Sequence, residues 1–255
     1  MSKRNKCRIP KVFMQTWKDE QVPERWKISP LSVKEKMGNW EYHLMTDQMN
    51  LEFVTRYFPE FLVTYNSLPY PIQKADAIRY MWLYINGGVY MDLDIVLNKN
   101  IEEFFYSDCD IYLVHSGNVG SVYTNALMAS KSRCQFWLEC LDEIKRSCQD
   151  PSDFWIGRHL TVMNTTGPLM LTRVASKTKS VIGVMPTKLL VPCSLCDLPC
   201  YIDESAYAYA IPGSSWVTWD TQIYNFFFCH WKDVVTAIVI LVAILVVLFL
   251  WWYFS

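Results

Sequence analysis

From Val234 to Phe254 the chain reads VVTAIVILVAILVVLFLWWYF, with no charged residue in the run. In a helix rising about 1.5 Å per residue, this stretch spans roughly 30 Å, the thickness of a bilayer's hydrocarbon core. Core helices of soluble domains seldom stay apolar on all faces for so long. Trp231 and the Trp251–Tyr253 cluster stand where interfacial aromatics lie, while Lys232 and Asp233 mark the water side. The run predicts a single-pass C-terminal membrane anchor over 234–254, which leaves 1–233 to fold in water. With only Ser255 beyond it, the anchor implies a cytosolic domain, the lumenal face of the ER or Golgi being the alternative.

The opening MSKRNKCRIPKVFMQTW has a basic head but no apolar region behind it, so it does not read as a signal peptide. Nine cysteines, an odd count, leave at least one thiol unpaired in a monomer and suit a reducing compartment better than an oxidising one. PCSLCDLPC (Cys193, Cys196, Cys200) has the look of a metal knuckle. Zinc sites of that kind need four ligands at paired spacing, however, and the nearest histidine, His230, is distant in sequence. Free or loosely paired thiols are the expectation. The one N-x-[ST] site, Asn164-Thr165-Thr166, is a slight pointer to the lumen.

A net charge of −1, with no basic run of five or more, gives no support for a nucleic-acid partner. Strand-like stretches at 12–17, 42–47 and 89–97 alternate with helical patterns at 23–37, 48–58 and 71–86. A strand at 111–115, helices over 134–148 and within 153–163, and a strand at 181–186 follow. That alternation predicts one α/β domain over 1–233 with a largely parallel sheet. Eleven Trp suggest a filled core and an aromatic-lined groove.

VYMDLDIVL (89–97) carries the sharpest chemical signal. Read with period two, Val89, Met91, Leu93, Ile95 and Leu97 share one face, and Tyr90, Asp92, Asp94 and Val96 the other. Two carboxylates that close repel unless a cation or donor groups offset them. Hard cations such as Mn2+ or Mg2+ take carboxylate oxygens and keep phosphate oxygens as further ligands, so the pattern suits a metal–diphosphate site. Glycosidase carboxylates stand on opposite sides of the scissile bond, about 5–9.5 Å apart, which fits this pair less well. A second D-x-D, Asp108-Cys109-Asp110, follows Ser107 in a polar stretch and reads as a solvated turn. Upstream, Ala75, Ile78, Trp82 and Ile85 form a helical stripe, with Asp76 and Arg79 on a neighbouring face. Gly87-Gly88 ends that helix and brings Asp76 and Arg79 near the strand.

KADAIRYMWLYINGGVYMDLDIVL (74–97) resembles the D-x-D region of a family of retaining glycosyltransferases. That family includes Och1-type mannosyltransferases and the catalytic subunits of mannosyl inositol-phosphoceramide synthases. IPKVFMQTWK (9–18) is similar to the family's opening strand; NALMASKSRCQFW (125–137), TGPLMLT (166–172) and PGSSW (212–216) resemble further blocks. The resemblance implies a GT-A fold, Rossmann-like and built for nucleotide-diphospho-sugars, and a membrane-anchored, metal-dependent hexosyltransferase. Mannose is the favoured sugar, from GDP-mannose or a UDP-hexose. The acceptor is a glycan or glycolipid, with an inositol-phosphoceramide sphingolipid favoured because the anchor holds the domain at a lipid surface. By analogy Gln15, Thr16 and Trp17 meet the base and ribose, and Asp76 and Arg79 the sugar–diphosphate region. Asp92 contacts ribose or sugar and shares the metal shell, Asp94 is the direct metal ligand, and Asp92, Asp94 and Arg79 carry the catalysis. Asn125, Ser130, Thr166, Gly167 and Pro168 line the acceptor side, and Ser215 and Trp216 close over the diphosphate.

One departure stands out. Many relatives carry a histidine beside the G-S-S-W block, whereas Val217 follows it here and none of His43, His115, His159 and His230 is adjacent in sequence. The competing reading is a catalytically weak or inactive membrane protein on the same scaffold, serving as a binding or structural component.

Overall fold

In the computed structural model the described residues are 9–116, 121–150, 157–190, 196, 204–211, 213 and 215–254. Two compact units divide the chain, Met1–Trp216 and Val217–Ser255. The first is built on a six-stranded sheet with a two-stranded ribbon beside it.

Strand β1 (Val12–Thr16) sends Phe13 to one face of the sheet and Met14 to the other. The same alternation runs through β3 (Gly88–Met91), β5 (Ile111–His115) and β6 (Tyr123–Ser130), so every central strand is apolar on both sides. Strands that are covered on both faces read this way. One face is covered by α2 (Asp47–Tyr57), α4 (Pro71–Asn86), α5 (Gln135–Gln149) and α7 (Pro168–Ala175), which contribute Val54, Ile78, Trp137 and Leu171. The other lies under α1 (Ile28–Lys36), with Val33, and under Phe105 and Leu190. The sheet order is β2-β1-β3-β6-β5-β7, where β2 is Glu41–Met45 and β7 is Ile182–Met185. β1 pairs parallel with β2 and β3, and β5 with β7; β6 alone runs against its neighbours.

Expected and observed elements agree closely at α4, β5 and α5. Helix α4 starts on Pro71, with the Tyr70 N–H donating to Gln73 Oε1 at 3.2 Å, and stops at Gly87 (φ 67°). Gly88 (φ 82°) then packs so closely that a Cβ there would meet Val12 O at 2.3 Å. Only glycine lets the chain leave α4 and run directly along β1. The helical stretch at 23–37 divides into a 3-10 turn at Glu24–Trp26 and α1. Of the helix expected within 153–163, the described part is α6 (Arg158–Thr165), residues 151–156 lying outside the description.

The strand expected over 89–97 is a correction. β3 stops at Met91, the chain turns through Asp92–Asp94, and β4 (Ile95–Leu97) leaves the main sheet to pair with β8 (Ala208–Ala210). The Asp92 N–H still donates to Ala126 O at 2.8 Å, but the Ile95 N–H turns back to Asp92 O at 3.1 Å. A turn removes the carboxylates from a sheet whose two faces are both dry, where burial would be costly.

In the second unit, α9 (Trp219–Cys229) follows Thr218, whose hydroxyl bonds the Asp220 carboxylate. α10 (Trp231–Phe254) is long and apolar enough to cross a membrane, and none of its residues is buried. The thiol expectation is corrected in part. Cys196 and Cys229 are each disulfide-bonded, while Cys109, Cys134, Cys140 and Cys148 are free. Cys193 and Cys200 lie outside the described residues. No cluster of three or more His, Cys, Asp or Glu side chains is poised around a metal position among the described residues.

Candidate active site

The turn that interrupts 89–97 opens on a cleft of about 290 Å³. Its walls include Thr16, Trp17, Arg79, Asp92, Asp94, Ser215 and Trp216, residues drawn from both ends of the first unit. These seven expected side chains therefore meet in one place. The end of β1 supplies Thr16 and Trp17, α4 supplies Arg79, and the turn after β3 supplies the two aspartates.

Arg79 is the hub. Its Nη2 lies 3.3 Å from Asp76 Oδ1 and its Nη1 3.1 Å from Asp92 Oδ1. Nη1 also donates to Asn125 O at 3.0 Å, and the guanidinium stands 4.7 Å over the Tyr90 ring. Asp76, 2% exposed, accepts further bonds from Asn125 Nδ2 at 3.0 Å and Thr166 Oγ1 at 2.8 Å. On the surface a pair three residues apart on a helix is weak. Here both partners are buried, so the pair and its hydrogen bonds form one satisfied network. Asp92 Oδ1 also receives the Tyr90 hydroxyl at 2.5 Å.

Titration follows this burial. Burial lifts the Asp76 carboxyl to about 6 even though Arg79, Thr166 and Asn125 oppose the shift. The Asp92 side chain, 26% exposed, is also pushed up by burial, against the pull of Arg79 and Tyr90. Asp94 rises to about 7, through burial first and the Asp92 charge second. Burial works against the Arg79 charge, but Asp92, Tyr90 and Asp76 hold the guanidinium protonated above its usual range.

The donor set fits a hard divalent cation. Asp92 and Asp94 offer carboxylate oxygens alone, which suits Mg2+ or Mn2+. Burial raises both carboxyls, Asp94 with the Asp92 charge as a second cause, and a cation bound there would favour their charged forms. Two carboxylates leave further coordination positions, which phosphate oxygens and water fill in sites of this type.

Other expected residues stand behind the cleft instead of lining it. Gln15 is fully buried, its amide donating to Ser29 Oγ at 2.8 Å and Asp92 O at 3.2 Å while its carbonyl accepts from Tyr42. It holds the D-x-D turn. Thr16 lines the cleft, but its hydroxyl is already engaged: Oγ1 donates to Met45 O and accepts from Asn50 Nδ2, each at 2.9 Å. Asn125 and Thr166 hold Asp76. Gly167 and Pro168 form the N-cap and first residue of α7. Ser130, fully buried, accepts from Trp137 Nε1 at 2.7 Å and sits opposite Gly88. That is the far end of β3 from the D-x-D turn, roughly 10 Å back along the strand. Of PGSSW, Pro212 and Ser214 lie outside the described residues.

Sequence reasoning missed Lys18, Trp26, Asp47, Tyr90 and Arg158, all of which line the cleft. Tyr90 had a signal, since period two put it on the carboxylate face. Trp26 packs edge-on against Trp17 with ring centres 5.0 Å apart, and among the described residues the buried indole N–H of each has no acceptor. The missing histidine has a spatial counterpart. His159 of α6 stacks on Trp216 at 5.4 Å with 6° between the ring planes, a contact invisible in sequence.

Comparison with known proteins bears on this geometry. Residues 23–121 match the family described as glycosyltransferase sugar-binding region containing DXD motif. The chain is 35% identical over 163 residues to mannosyl phosphorylinositol ceramide synthase SUR1 of Saccharomyces cerevisiae, covering 64% of this chain and 41% of that protein. It is 29% identical over 258 residues to inositol phosphoceramide mannosyltransferase 3 of Schizosaccharomyces pombe, covering 96% of this chain and 66% of that one. The chain thus spans less than two thirds of the length of these relatives. Among solved structures, the PaToxG glycosyltransferase is similar with a TM-score of 0.51 at 15% identity, over 66% of this chain and 69% of that one. The fold is that of the GT-A glycosyltransferases.

Proposed function

Taking the chain as a member of the glycosyltransferases with a DXD-containing sugar-binding region, we propose that it is a membrane-anchored, retaining hexosyltransferase. It moves a hexose, mannose favoured, from GDP-mannose or a UDP-hexose to a glycolipid of the inositol-phosphoceramide kind. Residues 1–233 carry the catalysis and 234–254 the anchor. The observation that carries this reading is the buried Asp76–Arg79–Asp92 network, with Asp94 beside it on the cleft wall.

Asp94 and Asp92 would hold Mn2+ or Mg2+, which supplies positive charge against the departing diphosphate. Arg79 fixes the Asp92 carboxylate and adds its own charge close by. Asp76, Asn125 and Thr166 act one step back, as positioning residues for Arg79; Gln15 does the same for the Asp92 backbone. The two unpartnered indole N–H groups of Trp17 and Trp26 suit base carbonyl oxygens, which guanine and uracil both possess. Ser215 and Trp216, the latter steadied by His159, close the diphosphate end. No observation favours the inactive-scaffold reading, because the carboxylates and Arg79 are present and assembled.

For topology, the disulfides at Cys196 and Cys229 support a lumenal catalytic domain over the cytosolic one expected from the anchor. The Asn164 sequon adds nothing here, since its Thr166 hydroxyl is buried against Asp76. Protease sensitivity of the domain in sealed microsomes would return it to the cytosolic side.

The test of activity is donor hydrolysis and transfer by the full chain in detergent, with Mn2+, over GDP- and UDP-sugars beside Asp94→Asn. Turnover of one donor, abolished by chelation and in the variant, is expected. No turnover or nucleotide binding across the panel would contradict the proposal.

A further inference from the structure

Three basic side chains line the cleft, Lys18, Arg79 and Arg158, against three acidic ones, Asp47, Asp92 and Asp94. The basic three differ in what engages them. Arg79 is held by Asp76, Asp92 and Asn125 O. Lys18 Nζ, on an exposed side chain, lies 3.8 Å from Asp19. Among the described residues Arg158 has no carboxylate partner and its Nε is buried without an acceptor, while its guanidinium stands 5.1 Å over the Tyr70 ring.

A guanidinium N–H removed from water and given nothing to bond is unfavourable, and the ring face beneath it offers attraction without an acceptor. An anion arriving in the cleft meets that need, and the planar fork of arginine matches a phosphoryl group in particular. The mounting is rigid. Arg158 is the first residue of α6, whose Thr165 hydroxyl accepts from Gln73 Nε2 of α4 at 2.7 Å. Directly after α6, Thr166 bonds Asp76 at 2.8 Å. Arg158 is thus fixed to the same network as Asp92, but from the α6–α7 side of the cleft instead of the β3 side.

We propose that Arg158 is an anion seat that binds a phosphoryl group of the substrates. Because Arg158 enters the cleft from α6 and not from the β3 turn that carries Asp92 and Asp94, the acceptor's phosphodiester is the group it takes. This inference rests on the glycosyltransferase reading for its context, but its test does not depend on turnover. Arg158 then selects acceptors that carry a phosphodiester beside the hydroxyl to be glycosylated, and phosphate-free analogues lose this contact.

The experiment titrates the full chain in detergent with glycerophosphoinositol, a soluble phosphodiester, and separately with GDP and UDP plus Mn2+. Wild type, Arg158→Gln and Arg158→Lys are compared, and thermal melting verifies that each variant is folded. Glycerophosphoinositol affinity is expected to fall at least tenfold in Arg158→Gln and to recover in part in Arg158→Lys, with nucleotide affinity changed less than twofold. A tenfold loss of nucleotide affinity instead would assign the seat to the donor diphosphate and overturn the acceptor assignment. Both affinities within twofold of wild type would overturn the anion seat altogether. Wild-type binding of glycerophosphoinositol without any nucleotide binding would break the donor reading while leaving the seat intact.

Discussion

The chain contains two Asp-x-Asp pairs, and the structure treats them in opposite ways. Asp92 and Asp94 follow β3 into a cleft, beside Arg79, which is 5% exposed. Asp108 and Asp110 lie just before β5, with side chains 74% and 38% exposed and Lys131 Nζ at 3.6 and 3.1 Å. Burial raises the first pair's carboxyls, Asp94 to about 7. The Val181 N–H, at 3.0 Å, holds Asp110 below its usual value, helped by Lys131. Asp110 ties β5 to the start of β7. One pair is raised by burial, and the other is held by the Val181 N–H and Lys131. Identical spacing therefore carries no fixed meaning; the surroundings decide whether a second charge is needed.

Breaking the buried side should have the largest effect. Arg79→Ala leaves Asp76 and Asp92 facing each other without their cation, and removing one partner of a buried pair costs about 3–5 kcal/mol. Chemical denaturation should record a loss of that size. A loss under about 1 kcal/mol, the range of surface pairs, would mean that the network does not hold the site.

A pH series sharpens the contrast, because the two pairs should bend stability in opposite directions. Asp94 and Asp76 have folded values of about 7 and about 6, above the unfolded value of about 3.9. A carboxyl raised on folding stabilises below its unfolded pKa, and that contribution is lost as pH rises through the folded one. With chelator present, stability should therefore fall between about pH 4 and about pH 7, less steeply in Asp94→Asn. Asp110, lowered on folding, contributes above its unfolded pKa and loses that as pH drops below about 4. Asp110→Asn should flatten only that acid limb. Denaturant midpoints measured across pH in the three proteins check both signs, and a common sign for the two pairs would undo the comparison.

The smallest effect belongs to Lys131→Ala. Its partners are partly exposed, so a stability change of no more than about 1 kcal/mol is expected in thermal or chemical melts. A loss as large as that of Arg79→Ala would mean that the outer pair is also structural in a buried sense.

Much of this was legible in sequence where punctuation is local. Pro71 and Gly87 bound α4, and the isolated apolar run IYLVH is β5. Period two could not reveal the break at Asp92, because 89–91 and 95–97 keep one phase and are all buried. The break depends on β8, a strand distant in sequence that takes β4 out of the main sheet. Arg158 and the His159–Trp216 stack were hidden for the same reason, since they arise from long-range packing and no spacing rule reports them. The resemblance places Gln15, Asn125 and Thr166 at the site, but only the packing separates lining the cleft from supporting it. Their hydrogen bonds are spent on Asp92 O and Asp76.

The most direct test is Mn2+ binding followed by electron paramagnetic resonance, with and without GDP or UDP, in wild type, Asp94→Asn and Asp110→Asn. Nucleotide-enhanced Mn2+ binding is expected in wild type and Asp110→Asn, and at least a tenfold loss in Asp94→Asn. Undiminished binding in Asp94→Asn, or its loss in Asp110→Asn, would contradict the claim that the buried pair is the metal–diphosphate site.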